Sequence, residues 1–202
     1  MAAKPLGASY GIPGGSLHAG AAWAVNDDVA AMGKSGEEAT AAILVKHCLT
    51  PGGATVFHDL SVPGSTANID HLVVAGRTVW MVDAKRWKPG FYIKLGARVY
   101  RFHHGDGVER FAPAEKSTMV MAGDRLTRWL AGRGIRFRFR PSTVVVWPSS
   151  QSVPLRMWAA RSMPGARLVS PDQFSDLASR RCRGTADPAL VAALMPLVRE
   201  DG

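Results

Sequence analysis

The stretch Asn68-Ile69-Asp70-His71-Leu72-Val73-Val74-Ala75-Gly76-Arg77-Thr78-Val79-Trp80-Met81-Val82-Asp83-Ala84-Lys85 decides the fold. Two runs rich in β-branched and aromatic residues flank Ala75-Gly76-Arg77-Thr78, and Gly76 stands where a type II′ turn needs positive φ. A two-residue hairpin there pairs residues whose numbers sum to 153. Leu72 then meets Met81 and Val74 meets Val79 on one face, while Val73 meets Trp80 and His71 meets Val82 on the other. Both faces are apolar, which predicts a hairpin inside a sheet covered on both sides.

The same register sets Asp70 opposite Asp83, with Cβ atoms about 5 Å apart. Two carboxylates at that separation repel by roughly 3 kcal/mol at an effective dielectric of about 20. A good cross-strand pair contributes only ~0.2–1 kcal/mol, so a structural role for the pair is hard to motivate. A hard cation between them removes the conflict, because Mg²⁺ is held by one or two carboxylates plus water and phosphate oxygens. Lys85, two residues beyond Asp83, points to the same side of its strand and can reach a water and a phosphate there. His71 points to the opposite face and reads as a core histidine. His58, His103 and His104 lack the spacing of zinc ligands.

Upstream, Gly33-Lys34-Ser35-Gly36-Glu37-Glu38 opens a helical run to about Cys48, with Ser35 and Glu38 at capping-box spacing and Pro51-Gly52-Gly53 as the stop. Glu38 then serves the cap, and Glu37 is free to join the carboxylates if this first turn lies over the hairpin. Residues 1–30 are rich in glycine and small residues and read as a flexible lead-in; 31–202 read as one domain. Further strands are expected over 54–62, 91–101, 108–111, 143–147 and 167–169, with a turn at His104-Gly105-Asp106-Gly107. Helices are expected over 114–130, 171–180 and 188–199. The order describes an α/β fold.

A chain of 202 residues, 47% apolar, can bury one sizeable core. Cys48 and Cys182 are too few and too far apart in sequence for a disulfide framework, which favours a reducing, cytoplasmic compartment. No stretch has the length of a membrane span, so no membrane partner is expected. Between residues 84 and 140 there are 14 Lys and Arg against four acids, a balance of +10 where the whole chain carries +9. Such asymmetry suits a polyanion. Arg86, Trp87 and Lys88 follow the key lysine, and Arg136-Phe137-Arg138-Phe139-Arg140 as a strand would present Arg136, Arg138 and Arg140 on one side. These six are candidate nucleic-acid contacts.

Together, Gly33-Lys34-Ser35-Gly36-Glu37, Asn68-Ile69-Asp70-His71-Leu72-Val73-Val74 and Val82-Asp83-Ala84-Lys85-Arg86-Trp87 with Gly90 resemble the nuclease-related domain family, a branch of the restriction-endonuclease-like PD-(D/E)xK superfamily. The resemblance implies a restriction-endonuclease-like αβββαβ core, a mixed sheet flanked by helices on both faces. It also implies Asp70 and Asp83 as ligands of Mg²⁺ or Mn²⁺, Lys85 as the catalytic lysine and Glu37 as the helix acid. Ile69 stands in place of the namesake proline, and Asp83 where Glu is commoner. The expected activity is metal-dependent phosphodiester hydrolysis, of DNA in the first place; the alternative is a non-catalytic nucleic-acid-binding or interaction module on the same fold.

Overall fold

The computed structural model describes residues 4–16, 27–103, 107–150 and 154–199. In chain order the elements are β1 (Ser9–Tyr10), α1 (Asp27–Cys48), β2 (Thr55–Ser61), β3 (Asn68–Ala75), β4 (Thr78–Trp87), β5 (Gly90–Leu95), β6 (Arg98–His103) and β7 (Gly107–Arg110). There follow α2 (Thr118–Ala131), β8 (Arg138–Phe139), β9 (Ser142–Pro148), β10 (Leu155–Ala159), β11 (Ser162–Met163), β12 (Ala166–Val169), α3 (Pro171–Arg181) and α4 (Pro188–Leu194).

The β3–β4 hairpin has the register its residues require, from Ala75 against Thr78 to His71 against Val82. Gly76 sits at φ 58°, as the first central position of a II′ turn demands. Around this hairpin one mixed sheet runs β1-β2-β3-β4-β9-β12-β11, with β8 also beside β4. β4, β9 and β12 are mutually parallel, so their C-terminal ends share one edge. The core order α1-β2-β3-β4-α2-β9 is the expected αβββαβ, interrupted after β4 by the meander β5-β6-β7, which recruits β10 into a second, four-stranded sheet.

Both faces of the main sheet are covered. Val73, Trp80, Val82 and Val145 pack with Leu44 of α1 and Phe174 and Leu177 of α3. Leu72, Val74, Val79, Met81 and Val144 pack with Leu126 and Leu130 of α2 and Leu190 and Leu194 of α4. At about 25 cal/mol per Å² of apolar area removed from water, these two layers are what hold the strand ends of the hairpin in place.

The N-terminal part departs from the sequence reading. Among Lys4–Ser16, expected as loose lead-in, Ser9 and Tyr10 pair in parallel with Val56 and Phe57, and Tyr10 stacks on Phe57 at 5.4 Å. Small residues mark close packing here rather than slack: a Cβ on Gly7 would lie 2.0 Å from the Cys48 carbonyl oxygen. The rest of the lead-in, 17–26, falls outside the described residues. The first helix also begins earlier, at Asp27, so Ser35 and Glu38 lie in mid-helix and form no capping box.

Smaller differences lie downstream. Gly96-Ala97 divides the expected 91–101 strand into β5 and β6, and most of the turn expected at His104-Gly105-Asp106-Gly107, residues 104–106, falls outside the described residues. The expected 188–199 helix ends at Leu194, with Pro196 in a short tight turn. Cys48 and Cys182, distant in sequence, are both buried and free; a hydrogen bond between the two thiols that favours the protonated Cys48, then burial, push the Cys48 thiol up. No helix among the described residues is long and apolar enough to cross a membrane.

Gly53 closes the turn after α1. A Cβ there would lie 1.9 Å from the Cys48 carbonyl oxygen and 2.9 Å from that of Thr50, both backbone atoms that cannot swing aside. Gly53→Ala is therefore expected to cost at least the ~1–3 kcal/mol of ordinary overpacking and to lower the melting temperature by roughly 5–10 °C. Circular-dichroism melts check this; an unchanged midpoint would mean the turn relaxes freely.

Candidate active site

Where the β3–β4 ladder ends, the two strands separate and their side chains take over. The amide of Ala84 donates to Asp70 Oδ2 at 2.8 Å. That bond fixes Asp70, 5% exposed, at the point where a backbone carbonyl would otherwise accept. Asp83 follows the ladder on the same side, and Lys85 reaches back over both acids: its Nζ lies 2.8 Å from Asp83 Oδ1 and 3.9 Å from Asp70 Oδ2. The acids are covered while the Lys85 side chain is 49% exposed, so the ammonium forms the mouth of the site.

Glu37 comes from α1 and reaches the same cluster. Gly36 permits this, since a Cβ there would sit 3.2 Å from Arg86 Cγ, and Trp147 Nε1 donates to Thr40 Oγ1 at 2.9 Å. These contacts lay α1 closely across β4 and β9. Glu37 is 5% exposed, and Glu37 Oε2 accepts from the Gly14 amide at 3.1 Å. Glu37 thus joins the cluster, about three turns from the helix start rather than in the first.

Burial, then the Asp70 charge, push the Glu37 carboxyl up to about 9, with Asp83 and Asp59 adding to the effect. Burial and Asp70 likewise raise Asp83 to about 7, against the opposing pull of Lys85. Burial acts to lower Lys85, but Asp83, Asp70 and Glu37 outweigh it and hold the ammonium above the usual lysine range. The cluster therefore has more carboxylates than its single ammonium can neutralise. Beside Asp70 and Asp83 lies a cavity of about 60 Å³, bounded on the far side by Met119 and Ala122 of α2. It has room for an ion or a water.

That donor set fits a hard divalent cation: two neighbouring carboxylates, hard oxygen ligands, and surplus negative charge. Among the described residues no three His, Cys, Asp or Glu side chains close around one point. An ion on Asp70 and Asp83 would complete its shell with water and substrate oxygens, the ordinary Mg²⁺ pattern.

Asp59 belongs to the site and escaped the sequence reading. In the β2–β3 ladder His58 faces His71 and Leu60 faces Ile69, which brings Asp59 level with Asp70. Asp59 adopts φ 50°, the one positive value among the described non-glycine residues. Its Oδ1 accepts from Asn68 Nδ2 at 2.8 Å and Ser16 Oγ at 3.0 Å, while buried Oδ2 has no hydrogen-bond partner among the described residues. A polar His58-Asp59 pair inside the apolar run 55–62 was the available signal. His71 is core as expected: its Nδ1 pairs with His58 Nδ1 at 2.9 Å, and burial takes both imidazoles down to about 3.

The other candidates separate. Trp87 is corrected: it is 4% exposed and its ring packs on Tyr92 and Phe111 at 4.9 and 4.8 Å, so it has no face for a base. Its position on the covered side of β4 was decided by the meander folding back. Arg86 is exposed, bonded to the Pro148 carbonyl and to Ser35 Oγ, and Lys88 is exposed beyond it. Arg136, Arg138 and Arg140 are exposed, with Phe137 and Phe139 half-buried, as alternation requires. But Arg138 pairs with Thr78, seven residues along β4 from Lys85, which is roughly 23 Å at 3.3 Å per residue.

A family model described as a nuclease-related domain matches residues 32–131, a span that contains Glu37, Asp59, Asp70, Asp83 and Lys85. No curated protein and no solved structure matches the chain.

Proposed function

As this chain belongs, through residues 32–131, to the nuclease-related domain family, we propose that it hydrolyses phosphodiester bonds of nucleic acid, DNA in particular, using Mg²⁺ or Mn²⁺ held by Asp70 and Asp83. The observation that carries this reading is the placement of the Lys85 ammonium, 2.8 Å from Asp83 and 3.9 Å from Asp70, at the open side of a buried acid cluster. A cation bound there would supply Lewis acidity toward the phosphate and a lowered pKa for its water.

The chain's own residues do the rest. Asp70, held by the Ala84 amide, and Asp83, held by Lys85, are fixed side by side where they would hold the cation. Lys85 puts a preorganised positive charge where negative charge grows on the phosphoryl oxygens and orients the attacking water. Glu37, held by the Gly14 amide, keeps its proton in the metal-free protein and limits the charge stored in the cluster. Arg86 and Lys88 extend the positive potential along the strand end toward an incoming polyanion.

Purified protein incubated with supercoiled plasmid, linear duplex and single strands, each with Mg²⁺, Mn²⁺ or EDTA, tests the proposal. Cutting in either metal and none in EDTA is the expected result; cutting that survives EDTA would sink the metal-based reading.

A further inference from the structure

The sequence-predicted basic run lies far from Lys85, yet a second basic surface lies next to it. β9 pairs with β4 so that Val146 stands directly beside Lys85, and residues paired in this way point to the same face of a sheet. Val146 is the floor of a groove of about 660 Å³ whose walls include Arg156, Arg161 and Arg167, Phe91 and Trp158. Among the described residues no acidic side chain lines it. Val146 therefore brings the groove within one strand, about 4.8 Å, of Lys85, whereas Arg167, paired with Thr143 in the row of Val82, enters it from the opposite face of the sheet.

Trp158 stands out among its apolar residues. It is 73% exposed, with its ring stacked on Phe91 at 6.5 Å and 26°. An indole so exposed, backed by a second ring on one side and open on the other, is a stacking platform rather than core. Phe91 continues the aromatic row to Phe102 at 6.3 Å, and Phe91 and Arg156 also line an adjoining hollow of about 470 Å³. Three arginines share the groove with these rings: Arg156 beside Phe91 in the β5–β10 pairing, Arg161 tied to the Trp158 carbonyl at 3.2 Å, and Arg167 on β12.

Arginines that meet no acid among the described lining residues select a polyanion, and an open ring selects a planar group that stacks on it. Bases offer their faces only where they are unpaired. A cleft of this size lies in the range of small-ligand sites, about 300–1,000 Å³, and cannot accept a double helix. We infer that the Phe91–Trp158 groove binds a single-stranded segment of nucleic acid, stacking bases on Trp158 and Phe91 and pairing phosphates with Arg156, Arg161 and Arg167, and delivers that strand to Asp83 and Lys85. The delivery step rests on the nuclease reading; the binding step does not. The substrate class that follows is an unpaired end, flap or single strand.

Fluorescence anisotropy in EDTA, with the full chain and labelled oligothymidylate or a duplex of equal length, tests the binding step. Wild type is expected to prefer the single strand. Trp158→Ala should weaken single-strand binding by roughly 5- to 150-fold, the loss of one stacked base, with little change for duplex. Trp158→Phe should restore most of it. Because Trp158 is so exposed, Trp158→Ala should melt with wild type. Replacing Arg156, Arg161 and Arg167 together by Ala should reduce the slope of log affinity against log salt by about 2, at ~0.7 per phosphate contact on single strands. Unchanged affinity in Trp158→Ala overturns the inference, as does equal binding of duplex and single strand, or competition by polyglutamate as strong as by unlabelled oligothymidylate. A parallel cleavage assay separates the two readings. Metal-dependent cutting with an indifferent Trp158 leaves the nuclease standing and removes the groove; single-strand preference without cutting in any metal does the reverse.

Discussion

Asp70→Ala, Asp83→Ala and Lys85→Ala are each expected to reduce cleavage at least 10²-fold in saturating Mg²⁺ or Mn²⁺, since removing one preorganised charge from such a site typically costs that much. The three share one step, so their losses should not multiply: a double variant such as Asp83→Ala with Lys85→Ala should fall little below the worse single one. The geometry explains why. Lys85 and Asp83 hold each other at 2.8 Å, and Asp70 is the second partner of the same ammonium. Initial rates of plasmid nicking measure the effect, with circular dichroism confirming that each variant is folded. Full activity in Lys85→Ala would remove the mechanism.

Asp83→Asn should make the metal-free protein no less stable while abolishing turnover. The reasoning is a linkage argument with a definite sign. The folded-state carboxyl titrates near 7 because burial and Asp70 disfavour its charge, whereas the unfolded chain titrates near its ordinary value of 3.8. The folded state thus binds more protons between those values, and stability falls as pH rises from about 4 through 7. Above that range the charged group withholds up to roughly 4 kcal/mol, at 1.36 kcal/mol per decade. Asparagine keeps the shape and an acceptor for Lys85 but carries no charge.

In EDTA the melting temperature of Asp83→Asn relative to wild type should therefore climb between pH 4 and 7 and level off by pH 8. At roughly 2–4 °C per kcal/mol the plateau lies up to about 8–16 °C above wild type. Adding Mg²⁺ or Mn²⁺ should raise the wild-type midpoint, as a ligand of the folded state does, and leave the variant nearly unmoved. A variant that melts well below wild type at pH 8 and still responds to metal would show that Asp83 is a structural partner, and the surplus-charge account of the cluster would fail. Stabilisation with loss of function is the compromise an active site of like charges imposes.

By itself the sequence determined the central hairpin, its register and the identity of the charged trio. Gly76 admits one turn type, both faces are apolar, and a slip of one residue would exchange every side chain between two different core layers, so no other pairing of 68–75 with 78–87 can compete. From that register Asp70, Asp83 and Lys85 follow by alternation alone. What the tertiary structure decided depends on contacts between segments far apart in the chain. The true start of α1, the strand in Lys4–Ser16, the left-handed Asp59 level with Asp70, and the burial of Trp87 under Tyr92 and Phe111 all depend on partners absent from the local pattern. So does the position of the arginines. Arg136, Arg138 and Arg140 make the more conspicuous run, but parallel pairing with Thr78 and Val79 places them at the far end of β4. Arg156, Arg161 and Arg167, spaced without pattern, line one groove that reaches Val146, the neighbour of Lys85, because β9, β12 and the recruited strand β10 bring them there. Alternation along one strand is encoded by neighbours two residues apart, whereas which strand lies beside it is set by the burial of both sheet faces, a property of the whole fold.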